Sequence, residues 1–121
     1  MPIDVGSLEF YAKTGSIPKA VRDVLMQTIA RKNAMTDTQR QMEERRRQIN
    51  DITTEQTRIR ENLKTVDRNS DYGTRLLKKL NDQETTLEKL QGEIKELTQT
   101  YDKQRKDLEE YLQNTTIDDK Q

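Results

Sequence analysis

Two hydrophobic heptad repeats, separated by a polar break at residues 67–73, constrain the fold of this chain more than any other feature. Their residues recur at alternating intervals of three and four, which places them along one narrow stripe of a helix. We call these positions the seam. The first repeat runs through Met35, Thr38, Met42, Arg45, Ile49, Ile52, Gln56, Ile59, Leu63 and Val66. The second runs through Leu76, Leu80, Gln83, Leu87, Leu90, Ile94, Leu97, Tyr101, Gln104, Leu108 and Tyr111.

The short polar break predicts that the two helices fold back on each other, because Asn, Ser, Asp and Gly favour turns. We therefore predict an all-α fold, a long antiparallel two-helix coiled-coil hairpin with a short irregular N-terminal lead-in. Pro18 suits the start of the first helix, and Ser70 or Asp71 is the expected N-cap of the second. The predicted segments are a lead-in at 1–17, helix A at 18–66, a turn at 67–73, helix B at 74–112 and a frayed tail at 113–121.

Pairing the two repeats predicts the register of the hairpin. If Val66 faces Leu76, every long aliphatic seam residue finds a partner on the other helix. A shift by one heptad would leave Leu63 and Val66 unpaired, at about 2 kcal/mol gross for each large side chain that stays exposed. The favoured register pairs Leu63 with Leu80, Ile59 with Gln83, Gln56 with Leu87, Ile52 with Leu90, Ile49 with Ile94, Arg45 with Leu97, Met42 with Tyr101, Thr38 with Gln104, Met35 with Leu108 and Arg31 with Tyr111.

Composition limits the chemistry that such a chain can perform. Hydrophobic residues make up 30% of the chain and charged residues 36%, which suits a two-helix seam but not a thick globular core. The chain contains no histidine and no cysteine, so the commonest general base, the commonest metal ligand and thiol chemistry are missing. The acids Glu109, Glu110, Asp118 and Asp119 match no calcium loop. We predict that the chain is not an enzyme and has no catalytic, cofactor-binding or metal-binding residues.

One basic cluster is the best candidate for a nucleic-acid contact. It comprises Arg40 and residues 45–47, but acids at 43–44 lie among the arginines, and the whole chain has a net charge of zero. Proteins that neutralise many phosphates carry a strong basic excess. We therefore interpret the cluster as a solvated helix face, in which the head of Arg45 reaches an acid such as Glu93 or Glu96.

The start of helix A carries more apolar surface than helix B can cover. Helix B is expected to end near Leu112, whereas the apolar stripe extends back along helix A towards the N-terminus. A contiguous exposed apolar patch usually marks an interface. The predicted contact surface consists of Phe10, Val21, Leu25 and Ile29.

Several stretches of the chain resemble the helical C-terminal region of a group of uncharacterised bacterial proteins. The resemblance lies in residues 8–11, 16–18, 37–41, 56–63, 77–84 and 108–112, which read LEFY, SIP, DTQRQ, QTRIRENL, LKKLNDQE and LEEYL. Members of this mucoidy-inhibitor-like group also carry a β-rich domain of unknown function. The resemblance implies that the chain is a helical arm of a larger protein, and it implies a location in the bacterial cell envelope.

Taken together, these features predict a structural or protein-interaction arm. The expected partner is a protein, either the missing domain of the same protein or a second copy of the chain. Nucleic acid is not favoured, and no apolar run is long enough to span a membrane. The alternatives are a nucleic-acid-binding helical arm and a prefoldin-like chaperone subunit. A prefoldin-like subunit needs strand-forming segments between its helices, which residues 67–73 are too short and polar to supply.

Overall fold

The computed structural model describes residues 18–115, in which α1 spans Lys19–Leu63 and α2 spans Asp71–Asn114. The two helices pack against each other, which confirms the predicted all-α helical hairpin. Contacts divide the chain into a turn unit, Arg40–Thr98, and a helix-end unit, described at residues 18–39 and 99–115. The predicted lead-in and the tail beyond residue 115 lie outside the described residues.

α1 begins immediately after a proline, as predicted. The N–H of Arg22 donates to the carbonyl of Pro18 at 2.9 Å, which is the first bond of the helical ladder. Proline is favourable here because the first N–H groups of a helix have no internal acceptor. No Pro or Gly follows until Gly73, so nothing interrupts α1 before the turn.

The turn occupies residues 64–70, about three residues earlier than the predicted 67–73. The predicted end of helix A at 66 and the predicted start of helix B at 74 are therefore wrong. After Leu63 the backbone tightens, because the N–H groups of Lys64 and Thr65 bond three residues back, at 3.2 and 3.3 Å. Ser70 then caps α2, since its Oγ accepts the N–H of Gly73 at 3.0 Å. Because Ser70 is the cap, residues 71–73 belong to α2. Ser70 is one of the two residues predicted as the N-cap of the second helix.

The turn unit is held by aliphatic seam residues near the turn. Ile59, Leu63 and Leu76 are buried against one another, and Leu80 packs on this cluster. Ile59 has no exposed surface at all. Fully burying a side chain of this size stabilises the fold by about 2 kcal/mol, so these four residues hold the two helices together next to the turn.

Polar residues share the buried seam of the same unit. Gln56 is buried, and its amide donates to Glu84 Oε1 at 3.1 Å, whereas Gln83 Oε1 is buried without a hydrogen-bond partner. Glu84 also lies 3.8 Å from Arg60 Nη2. Polar seam residues lower stability but favour one register over others. Gln56 therefore links the two helices through a hydrogen bond where the pattern alone predicts contact with Leu87.

The helix-end unit has its own seam. Thr28, Thr38 and Leu108 are buried there, and so is Ile29, which lies beside the seam. The hydroxyls of Thr28 and Thr38 donate to carbonyls one turn back in α1, at 2.8 and 3.1 Å. A threonine inside a helix satisfies its hydroxyl in this way without a partner on another helix. The burial of Ile29 adds an apolar residue from beside the seam to the core of this unit.

Candidate interaction surface

The helix-end unit contains the described part of the predicted contact surface. Val21 is 42% exposed, Leu25 is half-buried, and Ile29 is only 7% exposed. Val21 and Leu25 lie four residues apart and share one face of α1. Ile29 therefore belongs to the core of this unit, and the accessible part of the predicted surface is Val21 with the edge of Leu25. Phe10 lies outside the described residues.

Two further apolar side chains are exposed in this unit and were not predicted as interface residues. Met26 is 50% exposed, and Leu112 is 37% exposed. If the heptad pattern is extended back from Met35, positions 24 and 28 belong to the seam. Met26 lies between them, on the outer face of the helix. Leu112 follows the last seam residue, Tyr111. In both cases the only sequence signal is an apolar residue at a position that should be polar.

A shallow depression of about 230 Å³ opens between the two helices of this unit. Its floor includes the buried Leu108 and the half-buried Met35 and Tyr101. Lys32, Thr36 and Gln39 complete its lining. Because two helices cover each other on one side only, such a groove is where an apolar side chain of another protein would pack. Methionine suits this position, since its flexible thioether adapts to different partners.

Arg31 is the central polar residue of the unit. Its Cζ lies 4.5 Å from the centroid of the Tyr111 ring, which is a cation–π contact between the helices. The predicted register placed these two residues opposite each other. Arg31 and Tyr111 also line a second, open depression of about 300 Å³ with Asp107, Glu110 and Asn114.

A smaller cavity of about 140 Å³ adjoins Arg31. It is lined by Arg31, Ala34, Gln104 and Asp107. Arg31 Nε and Gln104 Oε1 are both buried without a hydrogen-bond partner. One is a donor and the other an acceptor, so a single water molecule or hydroxyl could satisfy both. The Thr38 hydroxyl donates to the carbonyl of Ala34. It therefore does not donate to Gln104, the residue that the predicted register places opposite Thr38.

No family model matches the chain, and neither does any curated protein or solved structure.

Two of the four arginines of the basic cluster in the turn unit pair with acids. Arg45 Nε lies 3.4 Å from Glu93 Oε1, which confirms one of the two predicted acidic contacts of this arginine. Arg46 pairs with Glu43 at 3.4 Å. Arg45 is partly buried, since only 28% of its side chain is exposed, so its stem packs along the seam while its head reaches the acid. This arrangement is typical of a solvated helix face.

The described residues include no candidate for a metal site or for a membrane span. Residues 18–115 contain no group of three or more His, Cys, Asp or Glu side chains that could hold a metal ion. Among the same residues, neither helix is long and apolar enough to cross a membrane. Asp118 and Asp119 lie outside this range. What the helix-end unit does present is exposed apolar side chains beside open, partly apolar depressions, which is an arrangement suited to contact with another protein.

Proposed function

We propose that the chain is a non-enzymatic coiled-coil arm that contacts protein through its helix-end unit, as part of a larger bacterial protein. The observation that carries this proposal is the exposure of Val21 and Met26 in one unit of a chain that is 30% hydrophobic. A chain with so few apolar residues gains stability by burying them in its own seam. Apolar side chains left outside the seam are therefore available to a partner.

The partner is either the adjoining domain of the same protein or a second copy of the chain. The resemblance to helical arms of larger bacterial proteins supports the first. The groove lined by Met35, Tyr101 and Leu108 supports either one, because it can receive an apolar side chain from any neighbouring helix. The chain's net charge of zero and the pairing of Arg45 and Arg46 with acids favour protein over nucleic acid.

Sedimentation equilibrium tests the self-association form of the proposal. We expect the wild-type chain to associate and a Val21→Glu/Met26→Glu variant to be a folded monomer, because both side chains are exposed and their replacement leaves the seam intact. Leu77→Glu is the matched control, since Leu77 is similarly exposed, at 38%, but lies in the turn unit. It should associate like the wild type.

Other outcomes separate the two kinds of partner. If the wild type is monomeric at all concentrations, a second copy is not the partner. The test then moves to the longer protein, in which hydrogen exchange at residues 21–26 should be slower than in the isolated chain. Equal exchange rates in both would contradict contact through the helix-end unit.

A further inference from the structure

The turn unit carries a basic and aromatic surface that the proposed function does not use. It consists of Arg68 in the turn and of Tyr72 and Arg75 at the start of α2, and we call it the turn surface. Both arginines are exposed, and Tyr72 is 47% exposed. Because Tyr72 and Arg75 are three residues apart in a helix, they share one face. Tyr72 therefore presents a large part of its aromatic side chain to solvent.

The backbone beneath this surface is held by a dense set of hydrogen bonds. Asp67 accepts the N–H of Asn69 at its side chain, at 2.9 Å, and the N–H of Ser70 at its carbonyl, at 3.0 Å. The Ser70 hydroxyl donates to the same carbonyl at 2.5 Å and accepts from the N–H of Gly73. The backbone that carries this surface therefore loses little conformational entropy when a partner binds.

The turn surface lies within a basic stretch of an electrically neutral chain. Residues 64–79 contain five basic and two acidic residues, a net charge of +3, whereas the whole chain has a net charge of zero. The three lysines of this stretch have acidic partners, which are Glu61 for Lys64, Asp82 for Lys78 and Glu55 for Lys79.

The two arginines differ from these lysines. Among residues 18–115, neither Arg68 nor Arg75 forms an ion pair. Of the two acids in the stretch, Asp67 uses its side chain to hold the turn, and Asp71 is the single acid next to Tyr72. Both arginines therefore remain available to carboxylates from another molecule.

We propose that the turn surface binds an acidic segment of a partner protein. Carboxylates of the segment pair with the guanidinium groups of Arg68 and Arg75, whose planar geometry suits two parallel hydrogen bonds to a carboxylate. An apolar side chain of the segment packs on the ring of Tyr72. Tyrosine and arginine are the residue types that most often dominate the energy of a protein interface. Nucleic acid fits less well, because two unpaired arginines neutralise few phosphates.

A titration followed by nuclear magnetic resonance tests the proposal. A short peptide of alternating Glu and Leu supplies both carboxylates and apolar side chains, and backbone amide shifts reveal even weak binding. We expect the largest shift changes at residues 68–75. In an Arg68→Ala/Arg75→Ala variant the Kd should rise about tenfold or more, which is the loss of one strong interface contact. Tyr72→Ser should weaken binding as well.

The matched control removes the same charge from elsewhere on α2. Lys89 and Lys95 are exposed residues of the turn unit, and a Lys89→Ala/Lys95→Ala variant should keep the wild-type Kd. Circular dichroism should show equal helicity in all variants, because every substituted side chain is exposed. If the lysine variant lost as much affinity as the arginine variant, the peptide would be responding to the positive charge of the whole chain and not to the turn surface. That result would overturn the proposal.

Three other results would overturn it. The first is the absence of shift changes at residues 68–75 when the peptide is added. The second is tighter, arginine-dependent binding of a short DNA duplex, which would assign the surface to nucleic acid. The third is a concentration-dependent shift of the same residues without peptide, which would assign the surface to a second copy of the chain.

Discussion

The guanidinium group of Arg31 lies over the ring of Tyr111, with 4.5 Å between Cζ and the ring centroid. Both residues belong to the helix-end unit: Tyr111 is the last seam residue of α2, and Arg31 lies four residues before Met35, the first seam residue of α1. Most seam positions of the two helices are aliphatic, but this pair is polar. It still buries apolar surface, because the aliphatic stem of the arginine and the ring of the tyrosine both pack between the helices. Arg31 Nε is buried without a hydrogen-bond partner, and Arg31 lines the cavity of about 140 Å³.

This contact should be measurable as a coupling energy. In a double-mutant cycle with Arg31→Gln and Tyr111→Leu, we expect a coupling of about 1 kcal/mol, the value typical of a partly desolvated cation–π pair. Urea unfolding of the four proteins gives the energies. The exposed pair Arg105–Glu109, with its atoms 3.0 Å apart, serves as the reference and should couple by only about 0.3 kcal/mol. A coupling no larger than that of the reference pair would contradict the cation–π interpretation.

The two described glycines should respond in opposite ways to replacement by alanine. A Cβ added to Gly73 would lie 2.8 Å from the Cα of Arg68 and would collide with the carbonyl oxygen of Asp67. These are backbone atoms, so the turn itself must shift, and we expect Gly73→Ala to cost about 1–3 kcal/mol. A Cβ added to Gly92 meets nothing within 4 Å. Because Gly92 lies inside α2, Gly92→Ala should stabilise the chain by about 0.5–1 kcal/mol.

Thermal melting of the two alanine variants tests this contrast. Gly73→Ala should melt below the wild type and Gly92→Ala above it. A Gly73→Ala variant that melts with the wild type would show that the turn accommodates a side chain, and that the close approach of Gly73 to Arg68 does not determine the turn.

The seam phase can be tested with neighbouring residues. Leu90 is buried at 6% exposure, whereas Lys89 is exposed. Leu90→Asp places an unpaired charge in the seam and should cost about 3 kcal/mol or more, a large part of the stability of a small domain. Lys89→Ala should change stability by at most about 0.5 kcal/mol. Equal melting temperatures for the two variants would place the seam on the wrong face of α2.

The sequence predicts the hairpin well because its two helices follow from a periodic pattern, and one pair of the predicted register is confirmed by a contact. Heptad spacing identifies Ile59, Leu63, Leu76 and Leu90 as buried residues, and the pairing of the repeats places Arg31 opposite Tyr111. These features depend on apolar area, which residue type and spacing largely determine.

The turn and the polar contacts are less predictable because they depend on local backbone geometry. Asn, Ser, Asp and Gly indicate a turn but not where it begins, and the Ser70 cap starts α2 before Gly73. The amide of Gln56 has several acceptors within reach, and the pattern does not indicate that it selects Glu84. Exposed residues such as Met26 and Tyr72 break the pattern singly, so their sequence signal is weak.

The last prediction concerns acid. The carboxylate of Glu55 pairs with the ammonium group of Lys79 on the other helix and lies 3.5 Å from Arg58 Nη2. The hydrogen bond from Lys79 lowers the pKa of Glu55, and the positive charges of Lys79 and Arg58 act in the same direction, although burial partly opposes them. A carboxyl whose pKa is lower in the folded chain than in the unfolded chain stabilises the fold above its unfolded pKa, about 4.3 for glutamate.

This stabilisation is lost as the pH falls through the unfolded pKa of Glu55 and then through its lower folded pKa. The melting temperature of the wild type should therefore fall as the pH is lowered below about 5, and that of Glu55→Gln should fall less over the same range. Lys79→Gln should flatten the profile in a similar way, because it removes the group that lowers the pKa of Glu55. Lys89→Ala removes the same charge from an exposed site on α2 and should keep the wild-type profile. If Glu55→Gln and the wild type lose stability in parallel, the Glu55–Lys79 pair does not contribute to the acid sensitivity of the fold.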